Sequence, residues 1–236
     1  MTKTLTVVQM LPELESGGVE RGTLEIGKYL VNHGHRSIVI SGGGRMVAQL
    51  KEEGSEHINW EVGKKSLSTL RYIRKVRKFL RETKPDILHL RSRLPAWIGY
   101  LAWKKLPQND RPKLVTTVHG PYTVGKYSSV MMRGEKIIAV SEFTKSQIQA
   151  LFPFALNKIE VVHEGVEPPE HIPTIIKDKL SDWEDMILCL GTIEPRKNLE
   201  SAIAAFDLFL DQHSDRAQKT RLVLAGKFGW RTEKVE

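Results

Sequence analysis

Runs rich in valine and isoleucine alternate with helical patterns along most of this chain, and that alternation constrains the fold most. Leu5 to Leu11 reads as a buried strand. Val19 to His33 repeats apolar residues at helical spacing (Leu24, Ile26, Leu30, Val31) and stops at Gly34, a good C-terminal glycine. Arg36 to Ser41 is a second strand, followed by glycines 42 to 44 and a helix through Glu53. Ile58 to Val62 is a weaker strand. Leu67 to Thr83 is an amphipathic helix that Pro85 ends, and Asp86 to Leu90 is a strand. Pro95 to Lys105 reads as helix, with Pro95 suited to the first turn. Leu114 to Val118 and Lys136 to Val140 are strands. Ser141-Glu142 caps a helix to about Leu151, and Lys158 to His163 is a strand again. This recurrence predicts an α/β domain with a parallel sheet covered on both faces.

The character changes after Val166. Pro168, Pro169, Pro173 and several charges interrupt the periodicity, which is a linker signature over 167–185. A new βαβ unit follows: strand Met186 to Leu190, helix Leu199 to Gln212, strand Arg221 to Ala225. Two strands and a helix are marginal alone. The expected organisation is an N-terminal Rossmann-like domain over 1–166, a linker, and the start of a second domain over 186–236.

Composition narrows the setting. Cys189 lies in the apolar run Met186 to Leu190 and reads as a buried, inert thiol rather than a catalytic one. A single cysteine fits a reducing compartment. The N-terminus shows no charged-then-apolar leader, and no apolar stretch approaches the roughly 20 residues of a membrane span. A cytoplasmic location is therefore expected. The formal charge of +8 favours anionic partners: nucleotide phosphates, acidic lipids or nucleic acid.

Ligands of open parallel sheets bind beyond the strand carboxyl ends. Gly17-Gly18 follows the first strand and opens a helix, so its backbone could approach a phosphate or sugar closely, or could simply make a tight turn. The spacing is not GxGxxG, and no acidic residue ends the second strand, which disfavours nicotinamide binding. Arg91 and Arg93 follow the fourth strand, and His119-Gly120 the fifth. His119 suits a proton or hydrogen-bond donor, against the commoner structural role. Arg196 and Lys197 stand just before a helix. Cations there make most sense if an anion joins them, the plain alternative being a solvated pair.

Ser16 to Arg21, Pro85 to Leu90, Thr117 to Gly120, Val140 to Thr144, Gly165 to Glu167, Gly191 to Asn198, Ala204 to Phe206 and Leu222 to Gly226 occur in that order. Together they resemble the GT-B-fold retaining glycosyltransferases of family 4, of the lipopolysaccharide and polysaccharide mannosyl- or glucosyltransferase kind. The resemblance implies two Rossmann-like domains, the second binding a nucleotide-diphospho-sugar and the first an acceptor. It implies no cofactor and no metal, since protein cations neutralise the departing diphosphate. It places Gly17 and Gly18 near the donor phosphate and acceptor, His119 at the sugar, and Arg196 and Lys197 on the diphosphate; Arg91 and Arg93, at their strand end, are expected on the acceptor side.

Two departures stand out. Thr192 replaces an arginine common in relatives, with Arg196 taken as its substitute, and Glu164 stands where an asparagine often precedes the linker glycine. The family's paired glutamates find no counterpart among these residues, so the second domain is expected to be incomplete. A non-catalytic binding module or split-enzyme subunit is the alternative, and a sugar-nucleotide epimerase a remoter one.

The 67–83 helix carries Arg71, Arg74, Lys75, Arg77, Lys78 and Arg81, opposite Leu70, Ile73, Val76 and Leu80. It reads either as a core-packed helix with a solvated basic face or as a dock for anionic lipid. Nucleic acid is the poorest fit, since no exposed aromatics interleave and no nucleic-acid motif accompanies the helix.

Overall fold

The computed structural model describes residues 3–123, 125–165 and 185–229, apart from the Arg196 side chain. The chain divides into two compact units, Met1–Val166 and Glu167–Glu236. Nearly all of the predicted linker lies outside the described residues.

Seven parallel strands form the sheet of the first unit, in the order β3-β2-β1-β4-β5-β6-β7. They are β1 (Thr6–Met10), β2 (Arg36–Ser41), β3 (Glu56–Asn59), β4 (Ile87–Leu90), β5 (Lys113–Val118), β6 (Lys136–Ala139) and β7 (Ile159–Val161). The helices are α1 (Gly18–Asn32), α2 (Val47–Glu52), α3 (Arg71–Thr83), α4 (Arg93–Lys104) and α5 (Glu142–Leu151). Strand order reverses beside β1, whose neighbours are β2 and β4. Helices leave β1 and β4 in opposite directions there, which opens a crevice at their carboxyl ends.

Both faces of the central strands are buried, as covered parallel strands require. Val8, Met10, Ile38, Ile40, Leu88 and Leu90 anchor the main core, while Leu11, Leu14, Leu24, Val39 and Leu50 form a second cluster. Gln9 points to the opposite face from Val8 and Met10 and is wholly buried. Its Nε2 donates to the Thr23 carbonyl at 3.1 Å, which ties β1 to α1. Ser141 caps α5 as expected: its Oγ accepts from the Thr144 N–H at 3.1 Å.

Several expected boundaries move. β3 occupies Glu56–Asn59 rather than 58–62, in register with β2 from Ile38 to Ser41. As an edge strand it tolerates a polar start, and Glu56 meets Arg36 at 2.7 Å. Leu67–Leu70 is a 3₁₀ turn, so the predicted long helix begins only at Arg71. The three-residue period turns Leu70 outward, 52% exposed, and buries Tyr72 in its place. α3 closes on Lys84 with φ +47°, a residue barred from helical geometry by the following Pro85. α4 starts at Arg93, two residues before Pro95.

The second unit holds β8 (Asp185–Leu190) and β9 (Thr220–Ala225), paired in parallel and joined through α6 (Leu199–Gln212). Cys189 is half-buried rather than buried. Its strand lies in a two-stranded sheet on which Ile187 and Leu188 are 45% and 50% exposed, so no closed core surrounds the thiol among the described residues.

Candidate functional site

Four strand ends converge at the crevice. β1 contributes Gln9 and the turn into α1, β4 is followed by Arg91, β5 by His119, and β7 by Glu164. Arg91 is 2% exposed. Its Nη1 donates to Gln9 Oε1 at 3.5 Å, its Nη2 lies 4.0 Å from Glu164 Oε1, and its Nε has no hydrogen-bond partner among the described residues. Burial lowers its pKa to about 10, opposed by the carboxylates of Glu164, Glu25 and Glu20. It therefore stays charged at neutral pH.

Glu164 sits between two basic groups. Its Oε1 is 2.8 Å from His119 Nδ1, close in distance but not aligned as a hydrogen bond. Burial raises the Glu164 pKa, Arg91 lowers it and Glu25 raises it. The His119 side chain is 13% exposed, and both ring nitrogens are shielded without a hydrogen-bond partner among the described residues. Burial, and then the charge of Arg91, lower its pKa to about 4. The ring is neutral at physiological pH. Behind it, His89 Nε2 and Thr117 Oγ1 are 2.7 Å apart, and burial holds His89 neutral as well.

A pocket of about 130 Å³ opens here, lined by Gly22, Glu25, Arg91, Thr117, His163 and Glu164 among others. A Cβ at Gly22 would stand 2.9 Å from Arg91 Nη2, so glycine is needed for the guanidinium to pass under α1. A second pocket, about 320 Å³, lies against the start of α1 and is lined by Ser16, Gly17, Arg21, Arg45, Met46 and Gln49. Gly17 has φ +149°, and a Cβ there would stand 2.6 Å from Glu20 Oε2. The carboxylate of Glu20 thus reaches back over the electropositive helix end. A Cβ at Gly18 would lie 3.7 Å from Glu164 Oε2.

The structure therefore gathers Gly18, Arg91 and His119 around Glu164. Arg93 lies apart, its guanidinium 5.1 Å from the Tyr122 ring centroid and 5.2 Å from that of Tyr127. In the second unit, Lys197 is exposed and its Nζ lies 3.8 Å from where a Cβ of Gly191 would be. The backbone of Arg196 belongs to the 3₁₀ turn Pro195–Lys197, and its side chain lies outside the described residues. Glu164 was visible in the sequence only as a departure from the expected asparagine. Gln9 and Gly22 carried no functional signal, and Thr117 only its place in the Thr117 to Gly120 motif.

A family model described as Glycosyltransferase Family 4 matches residues 16–169. The chain belongs to Glycosyltransferase Family 4. The O-antigen chain mannosyltransferase B of Escherichia coli is 30% identical to this family member over 101 residues, 40% of this chain and 26% of that protein. A glycosyltransferase from Rickettsia africae superposes with a TM-score of 0.71 at 26% identity, over 95% of this chain and 69% of that one. Anabaena HepE, solved with UDP and glucose, gives a TM-score of 0.68 at 14% identity, over 98% of this chain and 64% of that one. These likenesses bear out the α/β, GT-B class expected for this family 4 chain, which spans about two thirds of the solved relatives' lengths.

Proposed function

We propose that this chain carries the acceptor-side domain and the diphosphate clamp of a retaining sugar transferase. The donor is a nucleotide-diphospho-sugar, and the acceptor a glycan or lipid-linked saccharide of cell-envelope polysaccharide or lipopolysaccharide assembly. The observation that carries the reading is the meeting of His119 and Glu164 with the glycine-led start of α1, at the strand-order reversal of a family 4 chain. The UDP and glucose of HepE, and the E. coli relative's being an O-antigen chain mannosyltransferase, support the donor and acceptor classes.

Cleavage of the donor leaves charge on the diphosphate. Preorganised cations stabilise that charge in the transition state, and Arg196 and Lys197 take this role. With that charge met by protein cations, transfer needs no metal. His119 faces the sugar, and Arg93 with its two tyrosines faces the acceptor. The exposed basic side of α3 holds the protein at the anionic inner face of the cytoplasmic membrane. Among the described residues, no helix is long and apolar enough to cross a membrane.

The test is transfer from a panel of nucleotide sugars in the presence of a chelator, with the product anomer read by NMR. Retained configuration without added metal supports the reading, and inversion or metal dependence sinks the corresponding part. A binding module without catalysis, which the family match does not favour, would bind a donor and never turn it over.

A further inference from the structure

A neutral imidazole has one donor nitrogen and one acceptor nitrogen, and its neighbours decide which is which. His119 is neutral in a site where one nitrogen, Nδ1, faces a carboxylate oxygen at 2.8 Å. A carboxylate can only accept, so this contact, close but out of line for a hydrogen bond, favours the proton on Nδ1. Nε2 is then an acceptor, shielded from solvent and without a hydrogen-bond partner among the described residues.

The carboxylate itself is held in place. Arg91 lies 4.0 Å from the same Oε1 and is locked between Gln9 and the glycine surface of α1. Its charge opposes protonation of Glu164, against the push from burial and from Glu25. The relay runs through residues from four separate strand ends, and it needs the acid at 164.

We propose that Glu164 is a positioning residue that fixes the proton of His119 on Nδ1. Nε2 is thereby left an acceptor, which a hydroxyl of the bound sugar reaches only once the groups that shield it move aside. The out-of-line contact tightens when a ligand occupies Nε2, as such bonds commonly do on binding. The sugar hydroxyl rests on the transferase reading, whereas the tautomer does not.

The test is imidazole ¹⁵N NMR at neutral pH on the 236-residue chain. The His119 signals are assigned by their loss in His119→Gln. The wild type is expected to show a protonated Nδ1 and an unprotonated Nε2. Glu164→Ala is expected to move the proton toward Nε2, the form free histidine prefers in water, while Glu164→Asp keeps it on Nδ1. An Nε2-protonated wild type overturns the proposal. So does an unchanged tautomer in a folded Glu164→Ala protein. If that variant does not fold, the wild-type spectrum alone decides. Donor affinity should fall about tenfold in Glu164→Ala and recover in Glu164→Asp. A protonated Nδ1 in a protein that transfers no sugar would remove the transferase reading and leave the positioning role standing.

Discussion

Residue 22 of α1 and the guanidinium of Arg91 compete for one space: a methyl group at 22 would stand 2.9 Å from Nη2. Gly22→Ala therefore has two opposed effects. Alanine gains up to about 1 kcal/mol of helix propensity. Displacing a buried guanidinium costs about 1–3 kcal/mol as overpacking. The expected net result is a loss of about 1 kcal/mol, read as a lower urea midpoint with an unchanged slope. A stabilised Gly22→Ala protein would show that Arg91 has a second place to go.

Acid should weaken the fold through His119. Its pKa is about 4 in the native protein and about 6.5 when unfolded, so the unfolded chain binds the extra proton first. Stability is fully present above pH of about 6.5 and is lost as pH falls through about 4, on the order of 3 kcal/mol. The raised pKa of Glu164 acts with the opposite sign just above its ordinary value. His119→Asn should flatten the acid limb in denaturant titrations between pH of about 4 and about 6.5. Equal slopes for both proteins would rule out His119 as the source.

The parts of this site differ in how readable they were. β2 and α6 have the bounds expected from the sequence, because their apolar periodicity is bracketed by clear breakers. β3 slid by two residues, since an edge strand is placed by pairing with β2 rather than by its own apolar content. His119 was findable as a histidine beside glycine at a strand end. Glu164 was not, because only the pairing of β6 with β7 brings its loop toward Arg91 and His119. Arg91 was legible as a strand-end cation, but nothing local foretold its burial under α1.

The basic side of α3 offers a prediction about surfaces. Arg74, Lys78 and Arg81 are exposed, and Leu67 beside the helix is 86% exposed. Each cation contributes about 1 kcal/mol near an anionic bilayer. Replacing all three by alanine should weaken cosedimentation with phosphatidylglycerol vesicles by about two orders of magnitude. Neutral vesicles should not bind either protein. Equal binding of both proteins to anionic vesicles would make the charged face a solvated surface only.

Lys197 tests the diphosphate clamp separately. Its side chain follows β8 and is exposed. Lys197→Ala should leave the thermal midpoint within about one degree while cutting turnover about 100-fold, the scale of one lost transition-state donor. Full turnover in this variant would move the clamp elsewhere.

The strand-order reversal carries a consequence for how the molecule is made. β1 is complete at Met10, yet its second neighbour spans Ile87–Leu90. During synthesis the first strand therefore leaves the ribosome with one edge unpaired until residue 90 has followed it. Four of its five residues end up buried, so a sticky segment stays open to other chains throughout that interval. Slow codons or a chaperone stop between residues 41 and 87 would lengthen that exposure.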